Sequence, residues 1–440
     1  MLDIKTIREK TDWVCARLAA RNAGDDAKLK EIIALDDERR KKLAEVENLK
    51  AQRNKVSKEI GALMGKAKGG HPECLEEANA KKQETANIGN RITELDKQLA
   101  EIEVKREELL LRTPNTPHDS VPPGKDSADN PVVKMIGTKP EFSFKPLPHT
   151  ELCEKLGLVD FKRGTKISGS GFILYTGKGA RLERALINFL LDLHTTKHEY
   201  KEIFPPFMVS QNCMYGVGQF PKFKDQAYTV QEGLDASTLG THYLVPTAEA
   251  PLTNIHRDEI LKEEQLPIRY CAYTPCFRAE AGAAGVGTRG LIRVHQFDKV
   301  ELVKIVKPEE SYNELERLLE DAEEVLKLLG LHYRVVLLCT GDMGFTSAKT
   351  YDIEVWAPGQ DQYLEVSSCS NCEDYQARRM GLRYKSADGG NRYPHMLNGS
   401  GTALARLYVA LLETYQQADG TVLVPEILRP YLGGVERLVP

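Results

Sequence analysis

At 440 residues, with 28% charged side chains and a formal net charge of −4, the chain has room for two or three domains and the balance of an ordinary water-soluble protein. That balance excludes a uniformly basic nucleic-acid binder, so any such contact must come from a local basic face. No apolar run approaches the roughly 18 residues of a membrane span, the start MLDIKTIREK lacks a signal peptide's apolar core, and nine cysteines without scaffold spacing fit a reducing cytoplasm.

Residues 1 to about 25 place Ile4, Ile7, Trp13, Val14 and Leu18 at helical spacing. Lys28 to Met64 reads as one long charged helix in which Val46, Leu49, Arg53, Val56, Ile60 and Leu63 step by alternating three and four, a heptad seam. Gly65 to Glu73, with paired glycines and a proline, supplies the break. Ile88, Ile92, Leu95, Leu99, Ile102, Arg106 and Leu109 repeat the stepping in a second helix. Two such helices joined by a short turn fold back into an antiparallel coiled-coil arm, about 50–60 Å long at roughly 1.5 Å per residue. Its interior is only a seam, so it encloses no site. Outside the seam lie Lys50, Lys55, Lys58, Lys66, Lys68, Lys81, Lys82, Arg91 and Lys97, interleaved with acidic residues. Charge alone leaves them as a solubilising face or an RNA-binding one.

Thr113 to about Thr150 is proline-rich, which excludes helix interiors and central strands and marks a linker between residues 1–112 and 151–440. Beyond it strands and helices follow in irregular order, so the expected fold class is α+β with an antiparallel sheet. Arg181 to Tyr200 is a helix with Leu182, Ala185, Leu186, Phe189, Leu190 and Leu193 on one face, leading through Ile203 to Pro205 and Pro206. His242 to Asn254 sets a short strand before Thr247, Ala248 and Glu249; by itself this is a strand entering a helix cap.

The densest stretch is Cys276 to Glu301. Strands at Ile268–Phe277 and Leu291–Ile305 flank a loop, Ala279 to Gly290, with four glycines and four alanines, whose backbone can approach a ligand closely. Arg278 and Glu280 leave the first strand two residues apart, Arg289 and Arg293 flank the entry to the second, and Glu301 lies further along it. Arginine's planar fork suits phosphate oxygens, so three together point to a polyanionic ligand. A solvated hairpin with those arginines paired to Glu280 and Glu301 fits the spacing equally well. Glu309 to Leu329 is a charged amphipathic helix that packs on the sheet. Lys349 to Cys369 gives two strands around an Ala-Pro-Gly turn, with Glu365 and Ser368 three apart where the second ends; a carboxylate beside a hydroxyl suits Mg²⁺. Cys369 and Cys372 lack the second pair or nearby histidines that zinc requires. Asn398 to Gly401 reads as a loop opening a helix to Tyr415, with Arg406 about a turn and a half into it.

Taken whole, the Phe277-Arg278-x-Glu280 strand end, the small-residue loop and Thr288-Arg-Gly-Leu-x-Arg293-x-His-Gln-Phe297 closely resemble the second signature motif of class II aminoacyl-tRNA synthetases, in wording that of the seryl-tRNA synthetases. Arg181 to Pro206 resembles the first motif and Met396 to Tyr415 the third. HDSVPPGKD, Glu151 to Phe172, Thr247-Ala-Glu249 and Glu365-x-Ser-Ser-Cys-Ser-Asn371 are similar to further family segments. The resemblance covers nearly the whole chain, with two departures: Ala405 stands where the family has Gly, and Val286-Gly287 where it has Arg-Asp.

The resemblance implies an enzyme, a serine–tRNA ligase, that activates L-serine with ATP and transfers it to tRNA(Ser), leaving tRNA(Sec) open. It implies catalytic roles for Arg278 (α-phosphate), Arg406 (γ-phosphate) and Arg293, and ATP binding by Ala279, Glu280, Val294, Phe297, Glu365, Val366, Ser367 and Ser368, with Mg²⁺ on Glu365 and Ser368. It implies serine binding by Thr247, Ala248, Glu249, Arg278, Glu301, Asn398 and Ser400. It further implies a cytoplasmic homodimer in which the first motif forms the interface and the arm of one subunit grips tRNA lying on the other. The alternatives are a class II-like ligase loading a carrier protein, against which the intact arm argues, and a non-catalytic RNA-binding paralogue, which the presence of Arg278, Glu365 and Arg406 disfavours.

Overall fold

The computed structural model describes residues 1–230, 241–280 and 290–440. They form two compact units, one of residues 2–16 and 24–113, the other of Met1, residues 17–23 and 114–440.

In the first unit, helices α1 (Lys28–Lys68) and α2 (Cys74–Leu111) lie side by side and antiparallel. Val46, Ile92, Leu95 and Leu99 close the seam, with Leu43, Leu49 and Ile88 packed against them. The turn is narrower than the glycines of Gly65–Glu73 imply. Backbone bonding from Gly69 to Gly65 carries α1 on to Lys68, since nothing before Pro72 forbids it. At the base, buried Asp36 takes Arg106 at 2.6 Å and Arg8 at 3.1 Å, so the heptad arginine Arg106 is an ion-pair anchor at the seam's end. Further out, Arg39–Glu103 and Lys81–Glu59 cross between the helices, while Lys50, Lys55, Lys58, Lys66, Lys68, Lys82 and Lys97 are exposed.

The second unit is built on an eight-stranded sheet. Its strands in chain order are β1 (Val132–Ile136), β2 (Lys201–Glu202), β3 (Ile268–Phe277), β4 (Gln296–Val306), β5 (Tyr333–Leu337), β6 (Lys349–Ala357), β7 (Gln362–Asn371) and β8 (His395–Ala403). Spatially they run β1-β5-β6-β7-β8-β4-β3-β2, antiparallel except for the parallel β2–β3 pair. Three helices cover the sheet, α3 (Gly177–Thr196), α4 (Ser311–Leu328) and α5 (Leu404–Tyr415), and their apolar stripes share the main core with it. The proline-rich segment supplies only an edge strand, β1, as its composition dictates. It is tied down where it begins, by Asn115 donating to the carbonyls of Thr346 and Cys372 at 3.0 Å each.

Three local expectations give way. The return strand of the hairpin starts at Gln296, because residues 291–295 bend to line a cavity. Asn398 to Gly401 is no loop: all four lie inside β8, paired with β4 from Val306 to Lys299. Arg406 is therefore the third residue of α5, so its side chain stays close to the strand ends.

Candidate active site

The hairpin β3–β4 is paired without interruption from Ile268–Ile305 to Phe277–Gln296. Arg278 prolongs the ladder by one bond, its amide donating to the His295 carbonyl at 2.9 Å. Its guanidinium lies 5.2 Å from the Phe297 ring centroid, and its Nε donates to the Pro246 carbonyl at 3.3 Å. Glu280, in the left-handed region at φ 47°, accepts Arg293 Nε at 2.5 Å. Gly290, at φ 72°, is constrained twice: a Cβ there would stand 2.2 Å from His149 Nε2. That same Nε2 accepts the Leu291 amide at 3.1 Å, which puts the proton on Nδ1, facing Glu413 of α5 at 3.1 Å. One imidazole thus pins the hairpin's return to the helix that carries Arg406.

Glu365 and Ser368 lie within β7, not at its end. Three residues apart, they would point to opposite faces of a regular strand. A bulge opposite Ile353–Glu354 resets the alternation, and both line the same cavity. Arg406 joins them: its Nη1 donates to the Glu365 carbonyl at 2.8 Å and stands 3.6 Å from the carboxylate, while its Nε donates to the Ile292 carbonyl at 3.2 Å. Behind them on β6, Asp352 is Ser368's register partner. Its buried Oδ1 has no hydrogen-bond partner among the described residues, and burial, with the charge of Glu365, holds the carboxyl well above the usual range. This all-oxygen set fits a hard divalent cation.

One cavity of about 410 Å³ collects these groups. Its lining includes Arg278, Glu280, Arg293, Val294, Phe297, Glu365, Val366, Ser368 and Arg406, together with Thr247, Glu249, Glu301, Asn398 and Ser400. Ala405 lines it too, so its methyl replaces open space beside the arginine. Three expected residues do not line it. Ala248 is packed in the core with Leu252 and Val303, the Ala279 amide donates to the Gln226 carbonyl, and Ser367 Oγ ties β7 to β8 through the Ser400 carbonyl at 2.6 Å. Arg289, Val286 and Gly287 lie outside the described residues.

Around Glu249 the lining is polar and largely buried, with Thr247, Lys299, Glu301 and Ser400 all under one-tenth exposed. Glu249 Oε1 accepts Gln376 at 2.6 Å and Asn398 at 3.0 Å. Burial, then the charge of Glu301, raises the Glu249 carboxyl to about 7. Burial also raises Glu301, against the opposing pull of Lys299 and Arg278. Lys299 and Gln376 are absent from the sequence reading. Lys299 had a readable signal, two residues before Glu301 on one strand face; Gln376 had none, since its helix meets the cavity only through folding. Cys369 and Cys372 are buried thiols pushed up to about 12, protonated and unsuited to metal or redox work.

Residues 1–117 match the seryl-tRNA synthetase N-terminal domain family, and residues 228–415 the class II tRNA synthetase core domain family of the G, H, P, S and T enzymes. The chain is 54% identical to the serine–tRNA ligase of Akkermansia muciniphila, covering 98% of each. Seryl-tRNA synthetase from Pyrococcus horikoshii, solved with ATP, superposes with a TM-score of 0.92 at 39% identity over all of both chains. The cytoplasmic serine–tRNA ligase of Naegleria fowleri, solved with AMP, gives 0.86 at 30% identity over 100% of this chain and 99% of that one.

Proposed function

The chain belongs to the seryl-tRNA synthetase family, and from that premise we infer that it activates L-serine with ATP and transfers the seryl group to tRNA(Ser). The observation that carries the reading is convergence. Arg278 from the hairpin and Arg406 from α5 line one cavity together with a nest of hydrogen-bonding groups, Thr247, Glu249, Glu301, Asn398 and Ser400.

Activation is in-line attack of the serine carboxylate on the α-phosphorus of ATP, expelling pyrophosphate. It needs positioning and charge neutralisation, with no covalent enzyme intermediate. Arg278 holds the α-phosphate and Arg406 the γ-phosphate, with Arg293 beside the reacting groups. Adenine lies against Phe297 and Val294, with Glu280 at its edge. Glu365 and Ser368 would hold Mg²⁺, which would supply neutralisation of the triphosphate charge there. Ala248, Ala279 and Ser367 act by holding the backbone around the ligands, and Val366 packs beneath the nucleotide.

The ammonium of serine is taken by Glu249, with Thr247 beside it, and its hydroxyl by Glu301, with Asn398 and Ser400 completing the nest. An amino acid without the hydroxyl leaves buried partners unpaired, which supports discrimination of about 10⁴–10⁵. Pyrophosphate exchange into ATP with serine, threonine, alanine and cysteine tests this: serine alone should support exchange at ordinary concentrations, and equal exchange with another would sink the assignment.

Residues 1–112 form the tRNA-binding domain, whose arm grips the tRNA; residues 113–150 lead into a catalytic domain of 151–440. A homodimer through α3 and Pro205 is supported by a cavity there of about 470 Å³. It is lined by Phe204, 78% exposed, and by Glu183, whose buried carboxylate oxygens lack partners among the described residues. Sedimentation equilibrium should read twice the chain mass. Nine free cysteines favour a cytoplasmic setting, and among the described residues no helix is long and apolar enough to cross a membrane.

A further inference from the structure

Beside the Glu301 carboxylate of the nest stands a lysine to which the roles above assign nothing. Lys299 is 6% exposed and lies on β4 two residues before Glu301, so strand alternation turns both toward the cavity. Its ammonium pairs with the Glu301 carboxylate and donates to Thr247 Oγ1 at 2.8 Å. The same Oγ1 accepts the Glu249 amide at 3.2 Å. A hydroxyl oxygen has two acceptor positions. With both filled, the Thr247 proton can only be donated, and Glu301 receives it. One ammonium therefore sets the polarity of two neighbours, Thr247 as donor and Glu301 as acceptor.

We propose that Lys299 is a specificity-determining residue, a positioning group that, with Thr247, holds Glu301 as a fixed acceptor for the hydroxyl of the amino acid. A hydroxyl both gives and takes a hydrogen bond. A fixed acceptor takes the proton of the hydroxyl, whereas a methyl in its place leaves a buried carboxylate oxygen unpaired. The counter-charge is needed because Glu249 and Glu301 share one pocket and burial disfavours both ionised forms. Without a cation one of them takes up a proton and becomes a donor, erasing the distinction.

Among the described residues, the titratable groups facing Glu301 are few. Lys299 comes from its own strand, Arg278 from the end of β3, Glu249 from the helix after Thr247, Cys276 from β3 and Cys369 from β7. Burial raises both thiols, so they stay protonated. Of the two cations Arg278 also serves the phosphate, leaving Lys299 as the one dedicated to the carboxylate.

This rests on the reading of the cavity as a serine-activating site, and the experiment separates the two. Pyrophosphate exchange by the full-length protein is followed against serine, alanine, ATP and pH for the unsubstituted chain, Lys299→Met and Lys299→Arg. Lys299→Met should raise the KM for serine by about thirtyfold and narrow the serine-over-alanine preference by about tenfold, with kcat and the KM for ATP held within about threefold. Loss of the cation raises the carboxyl pKa values, so the acid limb of kcat/KM for serine should move up by about one pH unit. Lys299→Arg keeps the charge and should keep the limb. An unmoved limb in Lys299→Met, equal losses for serine and ATP, or a Lys299→Arg profile that shifts as far as Lys299→Met would each overturn the proposal. Thermal melting with ATP checks folding; should Lys299→Met not fold, Lys299→Arg decides, a displaced acid limb with ATP binding intact counting against it. Absence of exchange in the unsubstituted chain would instead overturn the site reading, and is seen before any substitution is made.

Discussion

The arm and the cavity are two ways of using the same charged residues. In the arm, apart from Arg8 and Arg106 on buried Asp36, most lysines and arginines sit outside a periodic seam and face water or carboxylates at the surface. Such pairs contribute little individually, so the arm tolerates exchange of one charge for another. In the cavity, arginines and a lysine are held by partners remote in sequence: Arg278 by Pro246 and Phe297, Arg406 by Ile292 and Glu365, Lys299 by Thr247. Lys299 is buried, where no solvent replaces a lost charge, while Arg278 and Arg406 stay open to solvent and are fixed by their carbonyl and ring partners. On the proposed reading, the arm's function is spread over many side chains, while the cavity's is concentrated in a few.

That contrast can be broken most severely by deleting Lys28 to Arg112. Charging of tRNA(Ser) should fall below detection while serine-dependent pyrophosphate exchange stays within about threefold; charging that survives would refute the arm's role. Arg278→Ala should lower exchange by about 10³, the scale of one preorganised oxyanion contact, read as kcat/KM for ATP. Activity within tenfold of the parent would break the claim of concentration.

Glu249 sharpens the picture through pH. Its raised carboxyl, at about 7, is neutral below that value and ionised above it, and only the ionised form pairs with an ammonium. The kcat/KM for serine should therefore rise with pH through about 7, and Glu249→Gln should lower it by about thirtyfold and flatten the limb. A limb that persists in Glu249→Gln would assign it elsewhere. The smallest effect belongs to the arm's surface. Lys55→Ala with Lys58→Ala should raise the KM for tRNA only about threefold, and less as salt increases. An effect as large as that of Arg278→Ala, or one indifferent to salt, would erase the distinction.

What could be read in the sequence follows the range of the interactions. The arm depends on a repeat of seven within one helix, so its seam at Val46, Ile92, Leu95 and Leu99 is visible in the spacing alone. The strands Ile268–Phe277 and Lys349–Ala357 are visible because alternation over many residues is a local pattern. The candidate residues Arg278, Glu365 and Arg406 came from the wording of three separated segments, and spacing left each of them ambiguous.

Tertiary structure decided what no local pattern contains. Glycine-bearing Asn398 to Gly401 looks like a loop, yet β4 and β7 supply backbone partners on either side and hold it as a strand. Glu365 and Ser368 share a face because of one extra residue in a bulge, a matter of register with β6. Lys299 gains its meaning from Thr247, and Glu249 its raised carboxyl from burial beside Glu301. The sequence determined the elements, because they depend on neighbours along the chain. Only folding determined which charges meet, because that depends on neighbours in space.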